Sequence, residues 1–227
     1  MLRDAALVAG KDLRIELRSR VVLHQVVPFA ALVLLLFAFA LGPDRKALSG
    51  AAAGLFWVAV LFVTVLAVQR SAGLESAPGA RDSLRLSGLD PAGIFLGKTA
   101  AVVAELLVLE VLLGAGAVLL YGASVRSYPE LVLAAVLGTI GVGAAGTLYG
   151  SLTAGIRVRE TLMPFLLLPV AAPVLLAGTR LWQAALGTGS GGPGATGGGS
   201  WITILAVFAV AYVGLGVLVF GPVQEAS

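Results

Sequence analysis

The sequence predicts an all-α, polytopic membrane protein with six transmembrane helices. The chain of 227 residues is 59% hydrophobic and only 12% charged, whereas soluble domains usually carry about 25% charged residues. A helix that crosses a bilayer core needs roughly 20 mainly apolar residues, and six apolar runs of this kind fill most of the chain. We therefore expect residues 1–227 to form a single transmembrane domain. The predicted spans are Val21–Leu41, Leu48–Val68, Thr99–Tyr121, Leu131–Ser151, Thr161–Ala177 and Trp201–Phe220.

The distribution of Lys and Arg predicts that both termini are cytoplasmic. Basic residues concentrate in the cytoplasmic loops of membrane proteins. Most of the basic residues here lie before the first span, after the second or after the fourth: Arg3, Lys11, Arg14, Arg18, Arg20, Arg70, Arg81, Arg85, Lys98, Arg157 and Arg159. The other connections contain Arg45, Lys46, Arg126 and Arg180. Orientation in the lipid bilayer therefore explains the net charge of +3, and we expect no nucleic-acid partner.

Residues 1–20 predict an amphipathic helix that lies on the inner membrane surface. Apolar residues recur there at steps of three or four, and basic residues fall on another face of the same helix. The alternative is a solvated basic tail that only follows the orientation rule. The segment is too charged for a signal peptide, and no small-residue cleavage site follows the first apolar run. The apolar set is Leu2, Ala6, Ala9, Leu13 and Leu17, and the basic set is Lys11, Arg14 and Arg18.

Two polar connections stand out between the spans. The cytoplasmic loop 69–98 is too short for a catalytic domain but long enough for one or two short helices. Within it, Asp90 and Pro91 predict a helix start, with Asp as the N-cap and Pro at the first helical position. That helix would continue into the third span. The external loop 179–200 is rich in glycine, which predicts a flexible connection between spans five and six.

Two glutamates of the third span are the acids expected to lie within the membrane. At 1.5 Å per residue, Glu110 is about 18 Å beyond Lys98 and therefore near the middle of the bilayer. Glu105 and Glu110 lie about 140° apart around a helix, so this helix alone does not form a paired-carboxylate site. An ionisable group at this depth marks either a functional path or a partnered group that faces other helices. The sequence leaves both interpretations open.

His24 is the only histidine, and it lies at the cytoplasmic end of the first span. A histidine can ligate a haem iron or carry protons. One histidine does not build a multi-histidine metal site, however, and a boundary position also suits a simple interfacial residue.

Glycines and prolines in the spans predict packing features rather than chemistry. Gly141–Gly146 matches G-x-G-x-x-G, but no strand precedes it, so nucleotide binding is not expected. Glycines four residues apart predict close helix–helix contact in lipid. The glycine pairs are Gly146 with Gly150, Gly50 with Gly54 and Gly93 with Gly97, and the prolines expected to kink or interrupt the fifth span are Pro164, Pro169 and Pro173.

The chain has no catalytic signature. It contains no cysteine, and it has no nucleophile elbow, H-E-x-x-H zinc motif or Walker A loop. We therefore expect no catalytic residue and no metal site, and ATP hydrolysis would require a separate chain.

Five segments of the chain, taken in order, carry a family resemblance: KDLRIELRSR at 11–20, LGPD at 41–44, GLFWVAVLFVTVLAVQR at 54–70, LSGLDPAGIFLGK at 86–98, and GTIGVGAAGTLYGSLTAGIRVRETLMPFLLLPVAAPVLLAG at 138–178. No single segment is a catalytic signature, and the resemblance rests on the joint order over nearly the whole chain. This order resembles the CcmB family, the haem-exporter permease subunit of cytochrome c maturation. Family members tend to carry an acid-rich stretch after the arginine that ends span two, whereas here Arg70 is followed only by Glu75 and Asp82.

The resemblance implies the membrane subunit of an ABC transporter in the bacterial inner membrane. It implies a CcmA-like ATPase, CcmC-like and CcmD-like membrane subunits, and a CcmE-like haem chaperone that the assembly releases in its haem-loaded form. Haem is then the transported or handled ligand. A second copy of the chain is expected because six spans make half of a usual ABC membrane core.

A permease without its own ATPase needs a cytoplasmic element that receives the conformational change, and loop 69–98 is the only one of sufficient length. Alternative functions are an ABC-2-like exporter of another cargo and a membrane scaffold that couples a partner ATPase to assembly. A solute carrier without an ATPase is disfavoured because no inverted repeat is apparent. The expected ATPase contacts are Arg81, Asp82, Leu84, Arg85 and Leu86.

Overall fold

The structure, a computed structural model, describes residues 1–19, 22–75, 88–153, 159–188 and 198–226. These residues form seven α-helices and contain no β-strand. A π-helical turn, Val22–Val26, leads into α2. The helices are α1 Leu2–Ser19, α2 Val27–Ala40, α3 Arg45–Glu75, α4 Pro91–Tyr121, α5 Tyr128–Thr153, α6 Arg159–Leu186 and α7 Gly198–Ala226.

Helices α2 to α7 supply six segments long and apolar enough to cross a membrane, which confirms the predicted fold class. Each overlaps its predicted span, and several are longer than the apolar runs because helices continue into polar sequence at their ends. The segments are His24–Leu41, Arg45–Gly73, Pro91–Tyr121, Tyr128–Thr153, Thr161–Leu186 and Gly199–Val223.

The fifth span shows the largest difference from its predicted bounds. Its helix continues past Ala177 to Leu186, so the first part of the predicted loop 179–200 is helical. The polar residues that suggested a loop stay on the helix surface, where Arg180 Nη1 lies 3.4 Å from Gln183 Oε1. Long polar side chains of this kind keep their heads in water while their stems lie along the helix.

The predicted start of α4 is confirmed. Asp90 is the N-cap, and its Oδ1 accepts a hydrogen bond from the backbone N–H of Ala92 at 3.0 Å. Pro91 occupies the first position, where its missing N–H leaves no hydrogen bond unmade. The helix begins eight residues before Thr99 (99 − 91) and runs without a break into the third span.

A cluster of aromatic side chains fills the centre of the bundle. Trp57 of α3 is almost fully buried, and its indole lies against Gly138 of α5 and Gly178 of α6, at positions where a Cβ atom would overlap the ring. Phe56 stacks on Trp182 of α6, with ring centroids 3.6 Å apart. Three helices therefore meet around one cluster of rings, and two glycines make the space for it.

The glycines of α5 serve helix packing, as predicted. A Cβ added at Gly141 would lie 2.7 Å from a ring carbon of Phe208 in α7, and one added at Gly143 would lie 2.9 Å from Val103 in α4. Gly146 meets Val68 of α3 in the same way, at 2.6 Å. One helix thus approaches three neighbours closely, which small residues permit.

The glycine pair of α3 behaves differently from the prediction. A Cβ at Gly50 would have nothing within 4 Å, and one at Gly54 would only reach Thr179 at 4.0 Å. The prediction of close helix contact at this pair is therefore wrong for the single chain, because α3 presents Gly50 to open space. The prediction for Gly93 and Gly97 is confirmed, since both lie tightly against α1.

The prolines of the fifth span do not interrupt it. Pro164, Pro169 and Pro173 all lie inside the continuous helix α6. Neighbouring helices can hold such a segment together although each proline removes a backbone donor. Helices α3, α5 and α7 all pack on α6 and supply that support.

Helix α1 packs mainly on α4, at one end of the bundle that we call the α1 end. Val8 and Asp12 are buried in this contact, whereas Leu2 and Leu17 are about four-fifths exposed, at 81% and 80%. The last helix finishes at the same end, where the ring of Phe220 lies 5.5 Å from that of Phe95. The two chain termini therefore lie on one side of the bundle, as the even number of spans requires.

Candidate functional site

The predicted ATPase contacts Arg81, Asp82, Leu84, Arg85 and Leu86 lie outside the described residues. The structure does describe the helices on both sides of them, since α3 ends at Glu75 and α4 begins at Pro91. The connection is therefore shorter than the predicted loop 69–98, because both flanking helices extend into it.

His24 lies in the π-helical turn before α2, with an exposed side chain. Pro28 follows this turn, and its ring cannot coexist with a regular helical hydrogen bond to the carbonyl of residue 24. A wider π-helical turn accommodates that conflict. His24 was apparent from the sequence, whereas the irregular backbone around it was not predicted, although Pro28 was an available signal for it.

Glu110 is buried between α4 and α5, at 5% exposure. Its Oε1 accepts a hydrogen bond from the hydroxyl of Thr139 at 2.5 Å, whereas its Oε2 is buried and has no hydrogen-bond partner among the described residues. Glu110 therefore faces another helix and has a hydroxyl as its partner, which is the geometry that one of the two interpretations expects. The partner is a hydroxyl from the glycine-rich helix, and no salt bridge to Glu110 is found among the described residues.

Glu105 belongs to a different cluster, at the α1 end. Arg70 of α3 lies between two carboxylates: its Nη1 is 3.3 Å from Glu105 Oε1 of α4, and its Nη2 pairs with Glu16 Oε1 of α1. All three side chains are largely buried. The two predicted intramembrane acids therefore do not form one site, as their angular separation indicated.

A second ionic contact joins α1 to α4. Lys98, almost fully buried, lies with its Nζ 3.7 Å from Asp12 Oδ2, and Lys11 approaches the other oxygen of the same carboxylate at 2.9 Å. Nearer the chain start, the Met1 amino group donates to Asp4 at 3.1 Å. This hydrogen bond, with a further one from the backbone N–H of Asp90, holds the pKa of the Asp4 carboxyl below its usual range.

The acids of α1 thus lie on one face, and that face contacts the bundle. Asp4 lies against Gly93 of α4, Asp12 pairs with Lys98 of α4, and Glu16 pairs with Arg70 of α3. The basic residues Arg14 and Arg18 are exposed. Spacings of eight and four residues place three side chains along one side of a helix. The predicted faces of α1 were drawn from its apolar and basic residues only, and the contacts of these acids were not predicted, although their spacing was a readable signal.

A cavity of about 250 Å³ opens near Arg70, between the start of the first span and the ends of α3 and α5. Its lining combines amide and guanidinium groups with apolar side chains. Pockets that hold drug-sized ligands measure roughly 300–1,000 Å³, so this cavity is small by comparison. It is lined by Gln25, Val26, Leu66, Gln69, Arg70, Ala72, Thr153 and Met163.

No metal-binding group is found in the part of the chain that the structure describes, where no three His, Asp or Glu side chains come together in a suitable way. The ionic clusters instead join helices to one another. The described residues form a helical membrane domain with the N-terminal helix α1 docked at one end and a buried acid, Glu110, between α4 and α5.

These features define a polytopic α-helical membrane protein with six spans and an additional N-terminal helix. The chain belongs to the CcmB family, because the family model described as CcmB protein matches residues 4–222.

Curated relatives support the same assignment. The chain is 30% identical to Heme exporter protein B of Pseudomonas aeruginosa over 184 residues, which cover 80% of this chain and 81% of the relative. It is 31% identical to Heme exporter protein B of Haemophilus influenzae, over 78% of this chain and 80% of that protein. The protein of the same name from Rhodobacter capsulatus is 28% identical over 76% and 79% of the two chains.

Proposed function

We propose that this chain is the membrane permease subunit of an ABC transporter that exports haem, and that it lies in a bacterial cytoplasmic membrane. The observation that carries the proposal is the family match over 4–222, which spans all six apolar helices. Three relatives that cover more than three quarters of the chain bear the name Heme exporter protein B. The chain acts as a transporter subunit and not as an enzyme.

ATP hydrolysis takes place on a separate CcmA-like subunit in this proposal. The sequence has no Walker A loop, so the energy must arrive through contact. The α1 end, where the basic residues concentrate, faces the cytoplasm and the ATPase. The helix ends that flank the connection between α3 and α4, Glu75 of α3 and Pro91 of α4, lie at the α1 end, and we assign the ATPase contact to Arg81, Asp82, Leu84, Arg85 and Leu86.

The remaining partners follow the family: CcmC-like and CcmD-like membrane subunits, a CcmE-like chaperone released with its haem, and a second copy of this chain. The cavity of about 250 Å³ near Arg70 is smaller than the pockets that usually hold ligands of this size. We therefore do not assign haem to that cavity, and we place the path of haem at a surface shared between this chain and the other subunits. The second candidate function is a membrane scaffold that couples the partner ATPase to assembly. It is compatible with this placement, because no haem crosses the chain itself.

Affinity purification of the tagged chain from its native membrane tests the ABC assignment. We expect an ABC-type ATPase to co-purify, and we expect R81E with R85E to reduce its recovery at least tenfold. R180E is the matched control. Arg180 lies near the end of α6 at Leu186, away from the connection between α3 and α4. Absence of any ATPase from the wild-type preparation would refute the ABC assignment, whereas equal recovery with R81E/R85E would refute only the contact assignment.

A further inference from the structure

Helix α1 contacts both helices that flank the connection proposed to receive the ATPase. On the α3 side, Glu16 pairs with Arg70, close to the end of that helix at Glu75. On the α4 side, Asp12 pairs with Lys98, and the amino group of Met1 lies 3.8 Å from the N-cap residue Asp90. A movement of either flank therefore changes contacts with α1.

We propose that Arg70 is a positioning residue that fastens the end of α3 to α1 and α4, so that both flanks of the connection move as one unit when the partner ATPase acts. The proposal rests on the function proposed above, since it concerns how the ATPase signal reaches the spans. It assigns to Arg70 a role that depends on its two partners and not on contact with the cargo.

The geometry of Arg70 explains why an arginine is suited to this position. Its guanidinium carries two terminal nitrogens, one facing Glu16 of α1 and the other facing Glu105 of α4. A planar fork of donors can hold two carboxylates in fixed directions, whereas the ammonium of a lysine is a single point charge. One side chain thus links three helices.

The contact between α1 and α4 does not depend on Arg70. A Cβ at Gly97 would lie 2.6 Å from the carbonyl oxygen of Ala5 and 2.7 Å from Val8 Cβ, so the two backbones approach closely there. The pair formed by Asp12 and Lys98 adds an ionic contact beside it. Loss of Arg70 should therefore remove the ionic link between the end of α3 and α1, while α1 stays docked on α4 and Val68 of α3 keeps its contact with Gly146 of α5.

The two carboxylates that pair with Arg70 are largely buried, so they depend on its charge. Glu105 and Glu16 have side chains only 10% and 16% exposed, so removing Arg70 leaves two acids in a poorly hydrated place. A merely structural role would consist of neutralising these acids. R70M with E16Q and E105Q removes the unpaired charges without restoring an ionic link, and it separates the two roles.

The test uses the complete complex, purified with its ATPase, and measures ATP hydrolysis together with the yield of covalently haem-loaded cytochromes in the same strains. We expect R70M to keep ATP hydrolysis within about twofold of the wild type while the haem yield falls at least tenfold, and R70K to give an intermediate yield. The triple variant should stay uncoupled. R45Q is the matched control, because Arg45 is an exposed arginine at the opposite end of α3.

Three results would overturn the proposal: normal haem yield in R70M, restored haem yield in the triple variant, or failure of both variants to assemble. A wild-type complex without ATP hydrolysis or without an effect on haem yield would instead refute the proposed function. The two failures are therefore distinguishable within one set of strains.

Discussion

The hydrogen bond between Thr139 and Glu110 joins α4 to α5 inside the bundle, and its loss should be measurable. Thr139→Val keeps the shape of the side chain and removes the donor that Glu110 Oε1 accepts at 2.5 Å. Since Oε2 has no hydrogen-bond partner in the part of the chain that the structure describes, the substitution leaves a buried carboxyl group with neither oxygen hydrogen-bonded to these residues.

The size of the effect follows from two known ranges. An unsatisfied buried polar group costs about 1–3 kcal/mol, whereas side-chain hydrogen bonds in one helical membrane protein average about 0.6 kcal/mol and reach about 1.7 kcal/mol. We expect Thr139→Val to lower the free energy of unfolding by about 1–2 kcal/mol. In a Glu110→Leu background the same change should cost less, which gives a coupling energy of about 1 kcal/mol.

The assay is reversible unfolding of the purified chain in mixed micelles. It is carried out on the four proteins of a double-mutant cycle: the wild type, Thr139→Val, Glu110→Leu and the double variant. Glu110→Gln is the control, because its amide oxygen can still accept from Thr139. Equal cost of Thr139→Val in the wild type and in Glu110→Leu would refute the assigned hydrogen bond. If Glu110→Gln abolishes haem loading while the complex assembles, the ionisable group serves an active path and not only the packing of the helices.

Three further predictions concern close contacts and a helix start. Gly97→Ala should cost about 1–3 kcal/mol by overpacking and should expose α1 to limited proteolysis, whereas Gly50→Ala, which has open space, should be neutral or slightly stabilising. Gly138→Ala should destabilise the fold by a similar amount, and a smaller residue in place of Trp57 should restore part of the lost stability. Thermal unfolding of the single and double variants measures this, and purely additive effects of the two substitutions would contradict the contact. Asp90→Ala should cost about 1 kcal/mol through loss of the N-cap, and an unchanged unfolding midpoint would show that the cap is dispensable.

The sequence was sufficient for the spans because the bilayer imposes one strong rule. Every long apolar run must become a helix that satisfies its own backbone, so the six spans could be found without knowledge of their neighbours. The Asp90 cap was predictable for a different reason, because a cap depends only on residues next to each other in the sequence. The end of α6 at Leu186 could not be predicted, because polar residues such as Arg180 and Gln183 can lie on a helix or in a loop.

The contacts between distant residues could not be predicted in this way. Glu16 and Arg70 are 54 residues apart, and no periodic pattern connects them. Thr139 is one of several hydroxyls in its span, and only packing selects it as the partner of Glu110. The small residues at Gly50 and Gly93 look alike in sequence, yet only Gly93 has a helix against it.

Haem staining of c-type cytochromes, in a strain that lacks this gene and in the same strain with the gene returned on a plasmid, tests the central claim most directly. The proposed function predicts loss of covalently attached haem in the deletion strain and its recovery with the plasmid copy. Normal haem staining in the deletion strain, with no second maturation system present, would contradict it and would favour an ABC-2-like exporter of another cargo.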